Sequence, residues 1–147
     1  MIEAEENEIR RPFGLTLLTA LYLFFFVLSV STYGNPFPFM GKIYTDTPAK
    51  ILVFFDSLIC VYLFLGIYKR QLLTWYLLIA YNLLEIINTV VNLNFISPKE
   101  IEKLVGTQVD QSALAVNNLA AALAILLLTQ FIYRHKGYFN NRQKYLF

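Results

Sequence analysis

Four stretches of the chain stay apolar for about the 20 residues needed to cross a hydrocarbon core. They cover residues 13–31, 49–68, 72–91 and 112–133, with polar ends at 1–11 and 134–147. The pattern predicts one all-α integral membrane domain, an up-down four-helix bundle. Between the third and fourth stretches stands Ser97-Pro98-Lys99-Glu100, a capping-box sequence with Pro at the first helical position. It opens a short helix over Ile101–Val105 that Gly106 can end. Ile101, Leu104 and Val105 give that helix a partial apolar face, so it is expected to lie flat at the exterior interface. Thr47-Pro48 reads as N-cap and first helical position of the second span. The loop before it, 32–47, is rich in Pro and aromatic residues and is expected to anchor in the headgroup zone, or else to act as a lid or partner surface.

The third span, from Leu72, is not uniformly apolar. Wound at 100° per residue with Glu85 at the origin, Thr74, Tyr81, Asn82, Asn88, Thr89 and Asn92 all fall within roughly 60° of it. The second span carries Asp56. Lys69-Arg70 makes a very short turn between the two spans, so they form a tight antiparallel hairpin. Asp56 and Glu85 each lie about 20 Å from that turn at 1.5 Å per residue, and so at one level. Counting back from Tyr133 puts Asn117 and Asn118 only a few Å further out. The expected site is therefore one polar layer holding Asp56, Glu85, Asn82, Asn88, Thr89, Asn92, Asn117 and Asn118.

An Asp at the centre of a span costs about 2.5–3.5 kcal/mol on insertion scales. No basic side chain of the chain sits at this depth to offset it. The acids must then carry a proton, share one as a coupled pair, or meet a cation: a metal ion, or a Lys or Arg of another chain. The plainer alternative is that amides and hydroxyls only hold the helices together, at about 0.6 kcal/mol each.

Composition fits a membrane domain. Of 147 residues, 57% are hydrophobic and 15% charged. Charge placement suggests orientation. Arg10, Arg11, Lys69, Arg70, Arg134, Lys136, Arg142 and Lys144 fall on one side, and Lys42, Lys50, Lys99 and Lys103 on the other. The positive-inside rule then puts both termini in the cytoplasm, with the chain in the cell membrane. Arg134, Lys136, Arg142 and Lys144 suit a headgroup layer containing anionic lipid. No small-x-small cleavage site follows the first span, which is expected to be retained. Thr16, Thr19 and Ser29 in it are expected to bond their own backbone carbonyls. Small residues, Ala120–Ala122 and Ala124, let the fourth span approach another helix closely.

The chain offers little for catalysis. Its one histidine, His135, falls in the tail, and its one cysteine, Cys60, reads as an inert core thiol. One Cys and one His do not make a common zinc site. There is no Gly-rich phosphate loop, nucleophile elbow or HExxH pattern. No cofactor, metal or nucleic-acid partner is expected. Trp75 and Tyr76 lie where an aromatic belt would form; Gly14 and Gly66 read as close-packing positions. The expected function is a non-enzymatic accessory or assembly subunit of a membrane complex, or a homo-oligomer. The alternative is a cation- or proton-coupled transporter or channel subunit using Asp56 and Glu85.

Two patches resemble a group of small prokaryotic four-span membrane proteins. Arg11-Pro12-Phe13-Gly14-Leu15-Thr16 is similar to the R-P-x-G-[VL]-T start of their first span. Leu65-Gly66-Ile67-Tyr68-Lys69-Arg70, with Trp75 soon after, is similar to their G-x-x-x-[KR]-x-x-x-x-W hairpin. The resemblance implies the four-span topology and a prokaryotic origin. It carries no activity with it.

Overall fold

The computed structural model describes residues 12–143. The N-terminal tail, with Arg10 and Arg11, and Lys144 in the C-terminal tail lie outside the described residues. The elements in order are α1 (Phe13–Ser31), β1 (Phe37–Phe39), β2 (Lys42–Tyr44), α2 (Asp46–Tyr68), α3 (Leu72–Phe95), α4 (Pro98–Val105), α5 (Gln111–Arg134) and a 3-10 turn (Lys136–Tyr138). Four of them, α1, α2, α3 and α5, are long and apolar enough to cross a membrane. The all-α bundle is as expected.

α1 runs along α2, and α3 along α5. The two pairs are tied together near the Lys69-Arg70 turn, the tail end of the bundle. Leu15, Leu18 and Tyr22 of α1 meet Leu63 and Ile67 of α2, Trp75 and Leu78 of α3, and Ile132 of α5 in one buried cluster. Phe139, beyond α5, closes it from below. Gly66 lets the hairpin shut: a Cβ there would stand 2.8 Å from the Cβ and Cγ2 of Thr74. Most other large apolar side chains of the four helices, such as Phe24, Phe54, Phe55 and Leu127, point outward. Lipid is the solvent that suits such faces, because each helix satisfies its own backbone.

The span ends differ from expectation for identifiable reasons. α2 begins at Asp46 with Thr45 as N-cap, and Thr45 makes no side-chain cap bond. Pro48 is thus inside the first turn rather than at its first position. That is tolerated because the first four N–H groups of a helix have no intrahelical acceptor. α3 continues past Val91 to Phe95. Its last asparagines are polar but satisfied: Asn94 donates to the Val90 carbonyl at 2.8 Å, and Asn92 reaches outside the helix. α4 forms as read, with Ser97 Oγ accepting from the Glu100 N–H at 3.3 Å and Gly106 at φ 75°.

The loop ahead of α2 is more than an anchor. Phe37–Phe39 and Lys42–Tyr44 pair antiparallel, with Phe39 opposite Lys42. Met40 (φ 49°) and Gly41 (φ 85°) form the two-residue connection. Positive φ at both positions is the type I′ geometry that matches strand twist. It is uncommon for a side chain like that of Met40. β1 rests against both α2 and α3, so the hairpin caps the bundle end opposite the tails.

A polar layer between α1, α2 and α3

Helical spacing puts three short polar rows in register. Tyr22 and Ser29 are seven apart on α1; Asp56 and Cys60 are four apart on α2; Tyr81 and Glu85 are four apart on α3. Each set shares a face at 3.6 residues per turn. Where the rows meet, Asp56 is the centre. Ser29 Oγ donates to its Oδ2 at 2.6 Å, and the Tyr81 hydroxyl donates to its Oδ1 at 2.7 Å. Ser29 also lies 3.0 Å from Ser57 Oγ. Tyr81 lies 3.5 Å from Cys60 Sγ. Distances this short fit hydroxyls donating to an ionised acceptor.

Glu85 shares the layer. It is half-buried and lies one turn from Tyr81, the residue that bonds Asp56. Its carboxyl makes no hydrogen bond to a described residue; Thr89 Oγ1 bonds only the Glu85 backbone carbonyl, at 2.8 Å. No Lys, Arg or His occurs in α1, in α3, between Lys50 and Lys69 of α2, or in α5 before Arg134. The Asp56 carboxyl thus has hydroxyl dipoles around it and, among the described residues, no basic side chain bonded to it. Among the described residues, no group of three or more His, Cys, Asp or Glu stands ready to hold a metal ion.

Asn82 forms a second small site, nearer the tail end. The Tyr22 hydroxyl donates to its Oδ1 at 2.7 Å, and both residues are buried. Its Nδ2 is the one buried side-chain nitrogen or oxygen among the described residues that finds no partner. Flipping the amide only moves the problem, since Oδ1 would then be the orphan. Leaving such a group buried costs about 1–3 kcal/mol.

The remaining asparagines do not join this layer, which corrects the single-layer expectation. Asn88 Oδ1 accepts from the Met40 N–H at 2.7 Å. Asn92 Oδ1 accepts from the Gly41 N–H at 2.8 Å, and its Nδ2 donates to the Pro38 carbonyl at 3.4 Å. These two carboxamides, one turn apart, hold the hairpin connection by its consecutive N–H groups. Asn118 Nδ2 bonds the Leu114 carbonyl of its own helix at 2.9 Å. Asn117 is exposed and bonds no described residue. Equal depth does not bring them in, because α5 packs chiefly along α3. Two successive residues also face 100° apart on a helix.

Ser29 is a further correction. Thr16 and Thr19 do bond their own backbone, to Pro12 and Leu15 at 3.4 Å and 2.8 Å. Ser29 instead spends its hydroxyl on Asp56. Nothing in the apolar α1 sequence announces this; the seven-residue interval from Tyr22 is the available sign.

At the tail end, Arg134, Lys136 and Arg142 are exposed, as a headgroup-facing set requires. Lys136 Nζ lies 4.7 Å above the Trp75 ring and 3.3 Å from the Tyr76 hydroxyl. The tail beyond α5 folds back on the turn. Asn141 accepts from the Leu72 N–H at 2.8 Å and donates to the Arg70 carbonyl at 2.9 Å. Trp75 is buried, with Nε1 donating to the Ile132 carbonyl at 2.8 Å, and is thus a core residue rather than a belt residue.

Fold and polar layer together define a multi-pass membrane protein with an acid-containing interior. No protein-family model, curated protein or solved structure matches the chain.

Proposed function

We propose that the protein is a non-enzymatic membrane subunit that assembles with another membrane helix, from a second copy or a different protein. One observation carries this reading. Asn117 is an exposed carboxamide inside α5, without a hydrogen bond to any described residue. Polar side chains in spans almost always face protein or water, not hydrocarbon. Around Asn117, at about −60° to +40° on the same helix face, stand Ala113, Ala120, Ala121 and Ala124, all exposed. Small residues admit a neighbouring backbone, and an amide among them bonds across the interface.

This relocates the assembly role. The acids are the contact expected from sequence, yet both Asp56 oxygens accept from hydroxyls of the same chain. The test is the mass of the particle purified in mild detergent. Wild type is expected to carry a second chain. Asn117→Leu should weaken that association about five- to tenfold, in line with about 1–2 kcal/mol for a membrane amide contact. A wild-type monomer with nothing bound would sink the proposal.

A second reading rests on Glu85, half-buried one turn from Tyr81, whose carboxyl bonds no described residue. Under it, the layer takes a proton or cation, and the protein is a transporter or channel subunit. Flux in proteoliposomes should then be lost in Glu85→Gln; no flux for any ion tested removes this reading.

A further inference from the structure

α4 is amphipathic, but its apolar face does not pack against solid protein. Ile101, Leu104 and Val105 instead form one wall of a cleft of about 500 Å³. The facing wall includes Leu93 of α3, Ile96 just beyond its end, and Leu114 of α5. These are the outermost turns of the spans, within about 5 Å of the end of α3 at 1.5 Å per residue. A cleft of this size is in the range of built ligand sites.

The cleft continues into a second pocket of about 360 Å³, with Ile43 and Leu104 as the shared wall. That pocket has a different character. Lys42 from β2 and Lys103 from α4 line it, with Gly41, Thr45 and Glu100. Lys42 Nζ is poised 5.3 Å over the Tyr44 ring, and neither lysine is ion-paired to a described residue. Two of the four lysines at this end of the bundle thus converge at the mouth of an apolar cleft. Apolar depth with a cationic rim, at the level where spans leave the hydrocarbon, matches an anionic amphiphile in both halves.

We infer that the hairpin end holds an anionic phospholipid of the surrounding bilayer, its phosphate between Lys42 and Lys103 and an acyl chain in the cleft beneath α4. Glu100 opposes the phosphate and limits the affinity. The site does not depend on assembly or on the acid layer.

The test is lipid retention by the purified full chain, read by native mass spectrometry after incorporation into vesicles of equal phosphatidylglycerol and phosphatidylcholine. Wild type should retain phosphatidylglycerol preferentially. Lys42→Gln and Lys103→Gln should each reduce that preference about fivefold, the factor set by about 1 kcal/mol per basic residue near an anionic surface. Glu100→Gln should raise it. All three positions are exposed, so the fold does not hinge on them. Leu104→Trp, which fills the cleft, should lower retention of both lipids together. Equal retention of the two lipids by wild type overturns the inference, as does an unchanged preference when Lys42→Gln and Lys103→Gln are combined. Glycerol phosphate held as well as the lipid would reassign the pocket to free phosphate and overturn the acyl-chain half.

Discussion

Whether Asp56 is an ionised centre or one more polar contact can be decided by a double-mutant cycle with Tyr81. The two groups meet at 2.7 Å, and the Ser29 contact on the other oxygen is 2.6 Å. A neutral interhelical hydrogen bond in a membrane protein is worth about 0.6 kcal/mol on average and about 1.7 at most. A hydrogen bond to a charged group is worth about 1.5–3 kcal/mol. The ranges barely overlap, so the coupling energy discriminates. Tyr81→Phe removes the donor and keeps the ring in place. Asp56→Leu removes the acceptor at similar size. If Asp56 is ionised, Tyr81→Phe should cost about 2 kcal/mol in wild type and well under 1 in the Asp56→Leu background. The coupling would then approach ~2 kcal/mol, above the ceiling of about 1.7 kcal/mol for a neutral pair. Reversible unfolding by SDS in mixed micelles gives the four stabilities required. Tyr81→Phe also removes the 3.5 Å contact with Cys60 Sγ, but that loss occurs in both backgrounds and cancels. Coupling of about 0.6 kcal/mol or less would refute an ionised Asp56 and leave these hydroxyls as ordinary bundle contacts.

Three other outcomes are expected. Gly66→Ala sets a methyl 2.8 Å from two Thr74 carbons and should lower stability by about 1–3 kcal/mol, seen as an earlier SDS midpoint; an unchanged midpoint would contradict the close approach of α2 and α3. Asn88→Ala and Asn92→Ala should each speed hydrogen exchange about two- to tenfold at the amide they hold, Met40 and Gly41 respectively, while the Leu72 amide stays protected; equal exchange everywhere would mean the carboxamides do not retain the hairpin. In a Cys60→Ala background, single cysteines at Lys99 and Lys136 should label from opposite faces of sealed vesicles, with position 136 on the cytoplasmic side. Labelling of both from one face would be incompatible with up-down topology.

The spans are legible because hydrocarbon imposes a length and a composition that loops do not share. α1 begins and ends where the apolar run does, and the α4 caps follow from Ser97, Pro98 and Gly106. The level shared by Asp56 and Glu85 is legible too, since a three-residue connection, Lys69 to Gln71, fixes depth on both arms. Direction around the helix axis is not. Depth comes from counting; azimuth comes from which helices touch. Asn117 and Asn118 have the right depth but sit on a helix that packs chiefly along α3. The β-hairpin escapes for another reason. Phe-Pro-Phe and Lys-Ile-Tyr are too short to show a period, and Met-Gly is a weak form of the Asn-Gly connection that marks such turns. What stabilises it is supplied from α3, forty-eight and fifty-one residues away. Asn88 and Asn92 show in the sequence as members of a stripe, whereas their partners are backbone amides that no sequence pattern displays.

The two ends of the bundle are held by different physics, and this sets where it can yield. At the tail end, apolar side chains from all four spans interlock and the returning tail adds backbone bonds around Arg70 and Leu72. Opening there would expose a core and break several bonds at once. At the hairpin end, α1 and α2 have no comparable cluster with α5 among the described residues, and the hairpin connection is retained by two asparagine side chains. Each such bond contributes only about 0.5–1.5 kcal/mol net. Segments with few buried apolar contacts are the ones that open first. The acid layer lies between these two regimes, one helical turn from Asn82 on the rigid side and one from Asn88 on the yielding side.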